Sequence, residues 1–347
     1  MNRAPFCRAL LGLTLLAASS AYAEIDPAWT TAIAPFRIAG NLYYVGSKEL
    51  ASYLIVTPKG DILIDSNLET SVPQIRQAVE QLGQRFTDIR ILLISHAHWD
   101  HASGSAAIKR ATGAKYMVMD GDVAVVESGG KTDFYYPDTH YPPARVDRTL
   151  HDGDQVRLGD TVLVAHKTPG HTRGCTTWTL QVSDHGRVLN VVIVGGWNVN
   201  AGYRLVDRPG QPAAYRGIAA DYRHTFAVLK QLPCDVFLGA HASYFSMLDK
   251  LQQITPETAV TTWIDPQGYQ AAVRERERAF QAELTRAEVF AGISRNERER
   301  FMVVFERIHD NLCALAGTAG AGAETRHPPQ PRVSAGRTRL RGRVKHE

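Results

Sequence analysis

The reading of this chain turns on one stretch: Ile91-Leu92-Leu93-Ile94-Ser95-His96-Ala97-His98-Trp99-Asp100-His101. Its first half is an apolar run with the composition of a buried parallel strand. Its second half reads H-x-H-x-D-H and emerges where that strand ends, the place where open α/β sheets gather their sites. Imidazole and carboxylate are the ligand types that suit zinc. Four of them within six positions are more than a polar surface loop accounts for.

Two further histidines have similar settings. His171 lies in Thr168-Pro169-Gly170-His171-Thr172 after the apolar strand Val162–Ala165, and His241 lies in Gly239-Ala240-His241 after Val236–Leu238. Each ends a β-like run beside glycine, where backbone can approach an ion closely. Beside the first cluster, both become ligand candidates. His166 sits inside a strand and reads as a satisfied core group. His140, His151, His185 and His224 lack ligand spacing, and His309, His327 and His346 fall in a C-terminal extension.

A chain of 347 residues with 44% hydrophobic content can bury a substantial core. Residues 1–23 stand apart from it: Arg3 and Arg8, the apolar stretch Ala9–Ala18 and Ala21-Tyr22-Ala23 form a secretory signal with an A-x-A cleavage site. The expected destination is the bacterial periplasm, with a mature start at Glu24. Beyond the signal, Cys175, Cys234 and Cys313 allow one disulfide and one free thiol in an oxidising compartment. Cys175 reads as structural.

The formal net charge of +4 is unevenly spread. Residues 316–347 hold seven Lys/Arg against two Asp/Glu, and the signal adds two arginines, so residues 24–315 carry about −3. That excludes the domain-wide basic footprint of nucleic-acid binding. No segment after the signal approaches the roughly 20 apolar residues of a membrane span. The expected partner is a small molecule, and the expected state a monomer.

Strands are expected at Leu42–Val45, Ser52–Val56 and Asp61–Ile64, then a helix at Val72–Leu82, the motif strand, a helix at Gly104–Ala111, a strand at Tyr116–Met119 and a short helix at Asp122–Val126. Gly129–Arg145 reads as a long surface loop, of a length that in compact domains is usually functional or mobile. A second block follows: strands Gln155–Leu158, Thr161–Ala165, Thr176–Val182 and Val188–Val194, a helix Tyr215–Gln231, the strand Val236–Leu238, and helical segments to about Phe290. Strands then helices, twice over, imply two sheet-plus-helix halves packed sheet to sheet, with the site along the shared edge. Residues 24–293 form the expected domain. Residues 294–347 form an extension in which Asn296–Leu315 can be drawn as an amphipathic helix, and whose Gly/Ala-, Pro- and Arg-rich end is too polar to fold alone.

Six ligands can build two zinc sites: His96, His98 and His171 for one ion, and Asp100, His101 and His241 for the other. Three protein ligands leave each ion a position for water, as catalysis requires. A hydroxide formed between two ions near neutral pH fits hydrolysis of a carbonyl or phosphoryl bond, with Asp100 both ligating and orienting.

H-x-H-x-D-H with the later His171 and His241 resembles the metallo-β-lactamase superfamily over roughly residues 30–290. The resemblance implies an α/β fold, an αββα sandwich with a dizinc site at the edge of its two sheets. Finer matches are similar to subclass B3: Thr168–Trp178 around the third histidine, Tyr141-Pro142-Pro143 with Val146-Asp147-Arg148, Asn200-Ala201-Gly202-Tyr203, and Ile264–Tyr269. Glyoxalases and lactonases of the superfamily carry a bridging aspartate after the strand Val191–Val194, and subclass B1 enzymes a cysteine. Here Gly195-Gly196-Trp197 supplies neither.

The resemblance implies zinc-dependent opening of the β-lactam ring of penicillins, cephalosporins or carbapenems, with Tyr203 bonding the developing oxyanion and Asn200 contacting substrate. The alternatives are a lactonase or thioester hydrolase of the same fold, or a zinc-binding periplasmic protein with little turnover. The chain departs from the B3 pattern in lacking the serine usual near Gly196, in carrying Trp197 beside it, and in lacking the late cysteine near Tyr269 that usually partners one like Cys234.

Overall fold

A computed structural model describes residues 26–255, 257–289 and 291–320. The signal segment 1–23 and the Arg-rich end beyond 320 lie outside the described residues. The chain divides into two compact units, Met1–Ala291 and Gly292–Glu347.

The first unit holds two sheets. One has seven strands in sequential order, β1 (Phe36–Ala39), β2 (Leu42–Tyr44), β3 (Tyr53–Thr57), β4 (Gly60–Ile64), β5 (Ile89–Leu93), β6 (Lys115–Met119) and β7 (Arg148–Leu150). Strands β1 to β4 pair antiparallel and β4 to β7 parallel. The other sheet runs β12-β11-β10-β9-β8, with β8 (Gln155–Leu158), β9 (Thr161–Lys167), β10 (Thr176–Asp184) and β11 (Arg187–Val194) antiparallel and β12 (Val236–Gly239) parallel to β11.

The helices are α1 (Pro27–Thr30), α2 (Val72–Gln81), α3 (Trp99–Ala102), α4 (Ser105–Thr112), α5 (Val123–Ser128), α6 (Ile218–Leu229), α7 (Met247–Gln252), α8 (Pro266–Val289) and, in the second unit, α9 (Arg295–Gly320).

The period of two along the strands decides what each face covers. Ile62 and Ile64 on β4, Ile91 and Leu93 on β5, and Tyr53 and Ile55 on β3 join Leu163, Trp178, Leu180, Val191 and Ile193 in the core between the sheets. The alternate residues Leu54, Leu63 and Leu92 face the other way, onto Ile75 and Val79 of α2 and Ile108 of α4. Beyond the second sheet, Tyr222, Phe226 and Leu229 of α6 and Phe280 and Leu284 of α8 complete the same core. The architecture is helix, sheet, sheet, helix, the αββα sandwich.

At one edge the two sheets are tied together by hydrogen bonds rather than by apolar contact alone. Thr176 N donates to Ser95 O at 2.8 Å, Ala51 N to Ala240 O at 3.0 Å, and Trp178 Nε1 to Ile94 O at 3.1 Å. The C-terminal ends of β4, β5, β6, β11 and β12 converge there.

Two expectations need correction. Cys175, Cys234 and Cys313 are all free. Cys175 lies against Gly196, beyond the end of β11, whereas Cys234 precedes β12, whose first residue pairs with Val191 in the middle of β11. The two thiols thus belong to different stretches of the sheet, while Cys313 belongs to the second unit. Residues 129–145 form no regular element, but they are not merely surface: Asp133, Tyr141 and Ala144 are buried. The helix drawn from the sequence at Asn296–Leu315 is present as α9, which exposes Phe301, Phe305, Ile308 and Leu312.

Candidate metal centre

Each potential ligand is placed by a strand end. β5 runs out into His96; His98 precedes the single turn α3, whose first residues set Asp100 and His101 on one face. His171 comes from the loop between β9 and β10, and His241 follows β12. Before β5 comes its neighbour β4, and directly after β4 the chain passes through Asp65 and Asn67, both left-handed at φ 64° and 53°. Asp and Asn tolerate that region best, and such conformations collect at functional sites. Asp65 Oδ1 accepts from Ser95 N at 2.6 Å, and Ser66 N and Asn67 N both donate to His101 O at 3.1 Å.

The rings of His96, His98 and His171 form a near-equilateral triangle, with centroids 4.7–4.8 Å apart. All three are buried, and one nitrogen of each lies within 4.8 Å of the others. Asp100 and His101 stand alongside, the His101 ring 4.3 Å from that of His96. His241 Nε2 lies 3.2 Å from His101 Nε2 and 3.6 Å from Asp100 Oδ2. The structure thus brings all six expected residues together as two adjoining triads.

The outward nitrogens are engaged, which leaves the inward ones for an ion. His171 Nδ1 bonds Asn198 O at 2.9 Å, and His96 Nδ1 lies 3.1 Å from Ser95 Oγ. His98 Nε2 lies 3.4 Å from Tyr203 Oη and 3.9 Å from Asp133 Oδ2. His241 Nδ1 faces Glu49 Oε1 at 3.4 Å. This is the outer arrangement that orients ligating imidazoles.

Among the described residues, the buried His96 Nε2 has no hydrogen-bond partner. Burial, then the neighbouring imidazoles, push His96 and His98 well below the ordinary histidine range, and burial pushes His171 down to about 4. Three neutral imidazoles with lone pairs turned on one another fit a divalent cation and little else.

The second triad calls for positive charge by another route. Burial pushes His101 down, but Asp100 and Asp65 outweigh it and lift the group to about 10. Asp65 Oδ2 is 3.5 Å from His101 Nδ1, and neither atom has a closer partner. Asp100, despite burial, is held well below the usual carboxylate range by His101 and His241. A cation between Asp100, His101 and His241 satisfies the same demand. The donor set of each triad therefore fits a divalent metal.

The residues around the triads differ from expectation in detail. Tyr203 is buried and its hydroxyl donates to His171 O at 2.9 Å, so its single proton is committed to the ligand loop. The phenol on the open side is Tyr136, whose ring meets His98 edge-on at 5.3 Å and whose hydroxyl accepts from Asn200 Nδ2 at 3.2 Å. Trp197 is buried against Tyr244 and Phe237. Asn198 acts through its carbonyl, which takes bonds from both His171 and Tyr222. Trp29 walls the opposite end, 5.5 Å from Trp99 and 6.1 Å from His241.

His166 is satisfied by Thr179 Oγ1 at 2.8 Å, as expected of a core group. It lines a separate cavity of about 410 Å³ on the second sheet, whose only other titratable group is Asp160.

Sequence reasoning missed Asp65, Asp122, Asp133 and Glu49. For Asp65 the turn-forming run Asp65-Ser66-Asn67 directly after a strand was a usable signal; the others are single acids with no spacing to mark them.

Comparison with known proteins agrees with this geometry. The family model of the metallo-beta-lactamase superfamily matches residues 51–241, more than half of the chain. The native FEZ-1 metallo-beta-lactamase from Legionella gormanii is 50% identical with a TM-score of 0.69, covering 74% of this chain and 98% of that one. BJP-1, a subclass B3 metallo-beta-lactamase of Bradyrhizobium japonicum, is 35% identical with a TM-score of 0.69, covering 76% and 97%. A hydroxyacylglutathione hydrolase of Methylobacterium is 30% identical over 107 residues, 31% of this chain and 35% of that protein. The match to such curated relatives spans only 30–40% of their length.

Proposed function

Because the chain belongs to the metallo-beta-lactamase superfamily, we propose that it is a dizinc hydrolase that opens β-lactam rings, as subclass B3 enzymes do. The observation that carries this reading is the 50% identity to FEZ-1 along 98% of that chain. The loop after β11 supports it, since Gly195, Gly196 and Trp197 offer no bridging ligand.

In this reading His96, His98 and His171 hold one zinc, and Asp100, His101 and His241 the other. When bound, the pair supplies Lewis-acid polarisation of the lactam carbonyl and acidifies water. The chain's own residues prepare that chemistry. Asn198 O and Tyr203 Oη fix His171 and His98, Asp65 and Glu49 face the outward nitrogens of His101 and His241, and Asp100 stays ionised beside both imidazoles. Tyr136 and Asn200 at one end and Trp29 and Trp99 at the other form the walls against which substrate is held. Asn200 would contact substrate here; Tyr203 would act through the histidines it touches.

The site would work on a monomer, in the periplasm after cleavage at Ala23; the N-terminal mass of the exported protein tests the latter. The main test is hydrolysis of a carbapenem and a cephalosporin by residues 24–347. Turnover lost to chelator, restored by zinc and abolished in His171→Ala is the expected result. No turnover by zinc-loaded protein would overturn the reading. It would turn attention to thioesters, which the matches to hydroxyacylglutathione hydrolases favour, and then to lactones.

A further inference from the structure

We propose that Asp122 is a positioning residue of the three-histidine site, its carboxylate joining the loop of His96 and His98 to the loop of His171. The inference rests on the reading that these histidines hold a metal.

Three donors converge on the two oxygens. Ala97 N, from the residue between His96 and His98, donates to Oδ2 at 2.8 Å. Thr172 Oγ1, from the residue after His171, donates to the same oxygen at 2.7 Å. Gly174 N donates to Oδ1 at 2.8 Å. One oxygen thus bridges both ligand-bearing loops. A buried group receiving only donors suits an acceptor-only carboxylate, whereas an amide would turn its NH2 against one of them.

The placement has no local purpose that would explain it. Asp122 immediately precedes α5, where an aspartate ordinarily caps the helix, yet its side chain makes no capping bond. It is turned wholly toward the ligand loops, 1% exposed. The backbone is built for this approach: a Cβ on Gly174 would stand 2.4 Å from Asp122 N. Burial outweighs the three bonds and lifts the carboxyl to about 6, so charge at this buried position costs free energy that the three donors only partly offset. Ala97 is gripped on its other side as well, where its carbonyl accepts from Tyr141 Oη at 2.6 Å. With both polar groups of that residue fixed, the relative positions of His96, His98 and His171 are set before any ion arrives.

The test is zinc affinity by competition with a chromophoric chelator, read one site at a time. In a His241→Ala background, which leaves the three histidines whole, Asp122→Asn is expected to weaken zinc binding about 10–100-fold. In a His171→Ala background, where only the Asp100, His101 and His241 site can hold its ion, the same substitution should leave affinity within about twofold. That asymmetry is what a general loosening of the fold would not produce. Unchanged affinity in the first background, or equal loss in both, overturns the proposal. If Asp122→Asn does not fold, Thr172→Val removes one donor from the same oxygen and should show the same asymmetry with a smaller loss. If the His241→Ala parent binds no zinc at all, the metal reading itself fails, and the positioning role with it.

Discussion

Gly196 lies directly beneath the imidazole of His171: a Cβ built on it would stand 2.1 Å from Cδ2 and 2.4 Å from Cγ. The glycine provides room for the ring. A side chain at 196 would require that the ring or the backbone beside it shift. Gly196→Ala should therefore displace His171, cutting zinc stoichiometry from two toward one per chain. Turnover should fall by about 100-fold, the scale of an ångström's misplacement. Metal analysis of the dialysed variant beside its kinetics checks this; two tightly held zinc ions in Gly196→Ala would show that the ring does not depend on the space.

Tyr203 and Tyr136 should separate in kinetics. The Tyr203 hydroxyl is spent on His171 O, so Tyr203→Phe loosens a ligand loop and should lower kcat, with about 1 kcal/mol of stability lost with the bond. Tyr136 stands at the rim, so Tyr136→Phe should raise KM and leave kcat nearly unchanged. The reverse pattern in steady-state hydrolysis would return Tyr203 to direct contact with substrate.

The sequence made the six ligand candidates legible because H-x-H-x-D-H is local and because His171 and His241 each follow an apolar strand. Their assembly follows from parallel strands ending at one edge, which the alternation of strands and helices already implied. What the sequence did not show depends on three-dimensional closeness alone. Asp122 and Ala97 are 25 positions apart, and nothing in Asp120-Gly121-Asp122 distinguishes a loop clamp from a helix cap. Trp197, next to the site in sequence, packs into the core beside Phe237 and Tyr244, and nothing in Gly195-Gly196-Trp197 marks that. The short edge strands β1 and β7 are too brief for periodicity to mark, and they form through pairing with their neighbours β2 and β6.

Asp61 offers a pH-dependent test away from the metal. It starts the buried run of β4, is 2% exposed, and among the described residues its Oδ2 has no hydrogen-bond partner. Burial, with a contribution from Asp88, lifts the carboxyl to about 6. The native state then binds more protons than the unfolded chain between about pH 4 and 6, so stability falls as pH rises through that window. The full penalty applies above it. Asp61→Asn should stabilise the protein at pH 8, by about 1–2 kcal/mol once the offset from Arg90 is allowed for, and the gain should vanish toward pH 4. Denaturant unfolding at the two pH values measures it; an equal effect at both would remove ionisation as the cause.

Zinc should act as a structural element of this edge as well as a chemical one. His96, His98 and His171 are buried and neutral, their inward lone pairs are turned on one another, and His96 Nε2 has no hydrogen-bond partner among the described residues. Without a cation that arrangement is held against its own repulsion by Asn198, Tyr203 and the loop clamps. Ligand that binds only the folded state stabilises it by mass action, about 2.7 kcal/mol at a hundredfold excess over Kd. For a unit of this size that is a rise in Tm of roughly 5–10 °C. Chelation should lower Tm by that amount and zinc restore it. His171→Ala should retain only the share due to Asp100, His101 and His241. A melting curve indifferent to chelator and to zinc would mean that the triads pack without an ion, and the hydrolytic reading would fall with it.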